Sequence, residues 1–153
     1  MNSTSARQAV LADLEALVTL FDRYRQFQGK TSDVPAARSF LRERFDHGES
    51  VIFICHENDV ALGFAQLYPS FSSVSLSRVF IVNDLFVHAA GRRKGVASRL
   101  LSAIESYAWS LGSARVTLNV ARDNPSAQRL YEERGWEQDD QYFMYHRFPW
   151  DSS

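Results

Sequence analysis

Leu11, Leu14, Leu17, Val18, Phe21 and Tyr24 recur at helical spacing along one stripe, which predicts an amphipathic helix ending near Gly29. A second helix is expected from Pro35 to about Phe45, with Asp33 near its start and Gly48 past its end. The unbroken apolar run Val51–Cys55 then has strand length. The stretch His56-Glu57-Asn58-Asp59 reads as a turn, and Val60–Tyr68 reads as the returning strand, closed by Pro69. The serine-rich piece 70–77 reads as a surface hairpin connection, followed by a strand over Arg78–Val87. Val96, Leu100, Leu101, Ile104, Ala108 and Leu111 mark the buried face of a further helix that Gly112 ends. Val116, Leu118 and Val120 alternate as a strand, and Asn124-Pro125 is a helix entry with Asn as cap. That helix stops at Gly135, and Gln141–Arg147 is expected to be a final strand. With a weakly written first strand around Ser5–Ala9, the order is β-α-α-β-β-β-α-β-α-β. This is an α/β (mixed α+β) chain whose central, mixed, mostly antiparallel sheet is flanked by helices.

Length and composition narrow the class. The chain has 153 residues, the size of one domain, and 45% hydrophobic content is enough for a core without staples. Seventeen basic residues against eighteen acidic ones leave a net charge of −1, which argues against a dedicated nucleic-acid partner. The chain contains neither an 18-residue apolar run nor an apolar signal core near its start, so no membrane role is expected and a cytoplasmic location is. The single cysteine, Cys55, cannot form an intrachain disulfide and reads as a small buried residue rather than an acyl carrier. His47, His56, His88 and His146 are scattered without ligand spacing, so no metal is expected.

The near-zero charge conceals a local imbalance. From Leu85 to Ile104 the chain carries Arg92, Arg93, Lys94 and Arg99 and no acid. Between the strand ending at Val87 and the helix starting at Val96, Gly91 and Gly95 bracket Arg92, Arg93 and Lys94. Amides at a helix start are unsatisfied, and small residues such as Gly95 and Ala97 let an anion approach them. Cations there oppose the helix dipole, a penalty that a bound anion reverses. The loop therefore reads as a phosphate cradle, although it is neither a P-loop nor a dinucleotide fingerprint. A solvated basic turn is the competing reading of the same loop.

A second segment, Asn124-Pro125-Ser126-Ala127-Gln128-Arg129-Leu130-Tyr131, sets Asn124 and Tyr131 seven residues apart on one helix face, about 10 Å from each other. Together the two segments resemble the GNAT superfamily of acetyl-CoA-dependent N-acetyltransferases. Its loop pattern [Q/R]-x-x-G-x-[G/A] is matched by Arg92, Gly95 and Ala97. Its later pattern N-x-x-A-x-x-x-Y-x-x-x-G-[F/W] is matched by Asn124, Ala127, Tyr131, Gly135 and Trp136. Arg93 stands where many members carry an extra glycine, and Ala89-Ala90 replace a frequent Pro-Glu. The resemblance covers nearly the whole chain and implies one GNAT domain over residues 1–153.

That resemblance implies acetyl-CoA as cofactor, with CoA as product. Arg92, Arg93, Lys94, Gly95, Val96 and Ala97 would hold its pyrophosphate. The backbone of Leu85, Phe86 and Val87 would pair with the pantetheine arm, and Asn124, with Ser126 beside it, would contact the cofactor. Tyr131 would lie near the sulfur, where a phenol is a reasonable proton donor to a departing thiolate. The implied reaction is direct attack by an amine in a ternary complex. The strand around Asn83-Asp84 looks most like the spermidine/spermine and histone/polyamine branch, in which a glutamate occupies the position of Asn83. Asp84, or a water chain held by Asn83 and Asp84, is the candidate base, with backbone hydrogen bonding as the competing role of Asp84. Tyr24, Glu57, Tyr68, Phe71, Asp84 and Tyr142 are candidate liners of a pocket for a small-molecule or lysine-type amine. The aromatic segment Tyr142–Trp150 suggests a homodimer contact. A CoA-binding regulatory or structural domain without turnover is the rival function.

Overall fold

The first hydrophobic stripe forms a helix, α1 (Leu14–Phe27), entered through a 3-10 turn over Leu11–Asp13. It packs beside α2 (Val34–His47), whose first turn holds Pro35 and whose Ala36 N–H is capped by the Asp33 carboxylate at 3.1 Å. Gly48 ends α2 in the left-handed region, at φ +59°. Between the two helices, the buried Asp22 accepts from the Ser32 hydroxyl (2.6 Å) and the Asp33 N–H (2.8 Å), tying the connection to α1. The computed structural model describes residues 4–150. It divides into two compact units, Met1–Asn119 and Val120–Ser153.

The first unit is built on a five-stranded sheet in the order β1 (Thr4–Gln8), β2 (Val51–Glu57), β3 (Val60–Ser72), β4 (Ser77–Val87), β5 (Val116–Leu118). The first four strands are antiparallel neighbours, and β5 joins β4 in parallel after the crossover helix α3 (Val96–Ser110). Helices cover both faces. Leu17, Val18, Phe21 and Leu41 of α1 and α2 pack with Ile52, Ile54 and Phe64 of the sheet. On the other face the α3 side chain Tyr107 meets Phe53 and Phe80 edge-on, at 5.6 and 5.5 Å between ring centres. The second unit contains α4 (Pro125–Glu133), capped by Asn124.

Two sequence expectations are corrected. Pro69 does not close its strand: β3 continues to Ser72, with Pro69 opposite Phe80. The pairing of β2 with β3 ends at Val51 opposite Leu67, so at Pro69 the strand has a neighbour on one side only, the edge position where proline is tolerated. The final strand over Gln141–Arg147 is not formed. The segment is exposed and its backbone has no strand beside it, and composition alone cannot make a strand whose amides lack a neighbour.

Candidate active site

Strand β4 carries the centre of the first unit's site. Gln66 of β3 lies opposite Asp84, but the next pair is Leu67 with Val82, which leaves Asn83 as an extra residue in a β-bulge. The extra residue changes the face on which the following side chains lie. Phe80 points at α3, whereas Phe86 packs against Tyr24 and Phe64 on the α1 side, at 5.9 and 6.4 Å between ring centres. Without the bulge, Phe80, Val82, Asp84 and Phe86 would share one face. With it, Asp84 is turned into the aromatic layer beneath α1.

There Asp84 is 5% exposed and Gln66 fully buried. Gln66 Nε2 donates to Asp84 Oδ2 at 2.7 Å, Asn83 Nδ2 donates to Oδ1 at 3.1 Å, and the Tyr24 phenol faces the carboxylate and favours its charged form. The far end of the Gln66 amide accepts from the Ser50 hydroxyl at 2.9 Å. Burial pushes the Asp84 carboxyl above the usual carboxylate range, and these three groups oppose that shift without cancelling it. Burial, with the Asp84 charge second, raises both Tyr24 and Tyr68, so both phenols remain neutral donors.

Beyond Val82, β4 leaves β5: the last parallel pair is Val82 with Leu118. From Asn83 to Val87 no strand lies on that side of β4 among the described residues, so a row of backbone groups is open to an extended ligand. The chain then passes through a 3-10 turn over Ala89–Gly91. Gly91 is required there, since a Cβ would come within 2.9 Å of the Leu62 Cβ. At the start of α3, Gly95 has φ +71° and offers no capping side chain. The first helical bond runs from the Arg99 N–H to the Gly95 carbonyl, which leaves the amides of Val96, Ala97 and Ser98 without an intrahelical acceptor. Arg92 and Arg93 are exposed beside them, whereas Lys94 is already paired with Glu57 at 3.0 Å. Unsatisfied amides, a missing side chain and two unpaired guanidinium groups fit a pyrophosphate.

The predicted acceptor residues do not all meet. Tyr24, Tyr68 and Asp84 converge. Glu57 sits at the β2–β3 turn beside Lys94, about 20 Å along the strand from Gln66, and Phe71 is exposed about 16 Å beyond Gln66 in the other direction. Tyr142 belongs to the second unit and is exposed. Within that unit, the Asn124 side chain accepts from the Ala127 N–H (3.3 Å) and from the Ser126 hydroxyl (3.2 Å). Tyr131 lies 6.0 Å from Trp136 between ring centres, and burial raises its phenol. Cys55 is fully buried and its thiol is pushed up by burial, as for a packed side chain. Among the described residues no group of three His, Cys, Asp or Glu is placed to hold a metal, and no helix is long and apolar enough to cross a membrane.

Gln66 and Ser50 are the site residues that sequence reading misses. A single glutamine in an apolar strand looks like an outward-facing position, and only the register shows that it faces a buried carboxylate.

The pattern of the acetyltransferase (GNAT) family matches residues 14–136, from α1 to just past α4. The chain belongs to this family and is an N-acetyltransferase. It is 45% identical over 139 residues to an uncharacterized N-acetyltransferase, YhfO, of Bacillus subtilis, covering 91% of this chain and 93% of the relative. The crystal structure of a probable acetyltransferase superposes with a TM-score of 0.89 at 38% identity, covering 95% of this chain and 98% of the other. An aminoglycoside N-acetyltransferase solved in complex with CoA shares the fold, with a TM-score of 0.79 at 20% identity over 96% of each chain.

Proposed function

We propose that the protein transfers an acetyl group from acetyl-CoA to the primary amine of a small molecule by direct attack. The observation that carries this reading is the buried Asp84 carboxylate next to the open stretch of β4. Acetyl-CoA supplies, when bound, an acetyl group activated as a thioester. The amides at the start of α3, with Arg92 and Arg93, hold its phosphates, and the β4 backbone from Leu85 to Val87 aligns the arm that leads to the thioester. Asn124 and Ser126 add polar contacts to the cofactor.

An alkylammonium with a pKa near 10.4 must lose a proton before it attacks. Asp84 takes that proton, either directly or through a water held at the exposed Asn83, and its raised affinity for protons suits the task at neutral pH. Tyr131 gives a proton to the departing sulfur. Tyr24, Tyr68 and Phe86 present aromatic faces around the ammonium.

At this centre Asp84 is the carboxylate without a cationic partner, since Glu57 is committed to Lys94 and Glu49 to Arg44, which favours an acceptor with one reacting amine on an apolar body over an extended polycation. The likeness of β4 to the spermidine/spermine branch supports a polyamine instead. Thiol release from acetyl-CoA with arylalkylamines, spermidine, lysine and aminoglycosides tests both. The expected result is the highest kcat/KM for a monoamine with an apolar body. Faster turnover of spermidine would reverse the acceptor assignment, and binding of acetyl-CoA without thiol release for any amine would overturn the activity.

A further inference from the structure

Gln66 is fully buried in the middle of β3, where an apolar side chain would pack at no desolvation cost. Both ends of its amide are used: Nε2 donates to Asp84 Oδ2 at 2.7 Å and Oε1 accepts from the Ser50 hydroxyl at 2.9 Å. The proposed chemistry does not require Gln66 to touch the acceptor or the cofactor, yet both ends of the amide are used and its donor end is aimed at the Asp84 carboxylate. We propose that Gln66 is a positioning residue for Asp84, holding its carboxylate in proton-accepting form, and that Ser50 supports it by occupying the other end of the amide.

The inference rests on the reading of Asp84 as the base. The groups facing Asp84 are Tyr24 from α1, Gln66 and Tyr68 from β3, and Asn83 from β4. Arg44 of α2 and Glu49, which follows α2, act on Tyr68. Tyr24 and Tyr68 are neutral, so no cation in this set offsets the buried charge. Stabilisation of the carboxylate falls to its donors, Gln66 on Oδ2 and Asn83 on Oδ1, with the Tyr24 phenol facing it. Gln66 makes the shortest of the two side-chain amide bonds to Asp84, and its donor end is polarised by the Ser50 hydroxyl behind it.

The test is the pH profile of kcat/KM together with a carbon-13 NMR titration of the Asp84 carboxyl in the intact, CoA-free protein. In Gln66→Met, close in volume but without a donor, the Asp84 titration and the acidic limb of the profile both move up by about one pH unit. Ser50→Ala leaves every group touching Asp84 in place and moves both the same way by a smaller amount. A merely structural role for Gln66 would lower activity at every pH without moving either midpoint, and that result would overturn the proposal. If the Asp84 titration moves while the rate profile does not, Gln66 is upheld and the assignment of Asp84 as base fails. Should Gln66→Met not fold, Ser50→Ala decides alone: an unmoved Asp84 titration counts against the proposal.

Discussion

Asp84 is an acid kept in a place that disfavours its charge, and that has a consequence for stability as well as chemistry. Below the ordinary carboxylate value near 3.8 it is protonated in both folded and unfolded chains and contributes nothing to the balance. As pH rises from there through the raised folded value, the folded protein holds a proton that the unfolded chain has released, so stability falls. Asp84→Asn does not titrate. The stability of this variant relative to the parent therefore climbs across that window and is flat above it. Urea unfolding between pH 3 and 8 checks this, and a difference that does not vary with pH would show that burial leaves Asp84 unshifted. Tyr131 calls for a kinetic test. Tyr131→Phe keeps the ring beside Trp136 but removes the proposed proton donor, so kcat should fall about 100-fold while the KM for acetyl-CoA is unchanged. An equal rise in KM would instead make Tyr131 a binding residue.

At the scale of elements, the bulge at Asn83 decides which face of the sheet the chemistry occupies. Asn83→Ala removes one donor to Asp84 but keeps the residue count, so the fold survives and kcat falls about fivefold, the worth of one ordinary hydrogen bond. Deleting Asn83 removes the bulge and one donor to Asp84 but makes Val82 and Asp84 neighbours on alternate faces, so Asp84 and Phe86 stay opposite Gln66 and Phe64 on the α1 side. Cooperative unfolding should persist while activity falls further than in Asn83→Ala, because the local twist at Asp84 is lost as well as the donor; circular dichroism and thiol release together would show this. The bulge also marks the boundary of what the sequence makes legible. The four helices are readable because stripe, cap and terminator agree locally: Asp33 and Asn124 cap where expected, and Gly48 ends α2 in the left-handed conformation. The bulge depends on how β4 pairs with β3, a non-local fact that no period within Arg78–Val87 reports. The persistence of β3 through Pro69 has the same origin, because it depends on where β2 stops. The basic, glycine-bracketed turn into α3 is legible for the opposite reason, since Gly95 and the basic residues before it are contiguous in the chain. The ion pair of Lys94 with Glu57, 37 residues apart, was not.

For the molecule as a whole, a net charge of −1 says little about how it meets a polyanion, because the cations are concentrated and only some are available. Of Arg92, Arg93 and Lys94, the lysine is paired with Glu57, so the effective charge at the start of α3 is that of the two arginines. CoA affinity should therefore weaken as salt is raised from 50 to 500 mM, since exposed charges are screened within a Debye length. Arg92→Ala and Arg93→Ala should each weaken binding about tenfold at low salt, in line with hydrogen bonds to charged groups, and each should flatten the salt dependence. Lys94→Ala should do less, because the charge of the lysine is already committed to Glu57. Glu57→Gln is the sharper variant: it removes the acid that occupies Lys94, frees a cation for the cradle, and should tighten CoA binding by about two- to fivefold, the scale of a partly exposed ion pair. Isothermal titration of CoA into the four variants at several salt concentrations makes the comparison. If Glu57→Gln weakens binding instead, the Lys94 pair holds the loop in shape rather than withholding charge from it, and Glu57 then acts on the cofactor through the backbone of the loop.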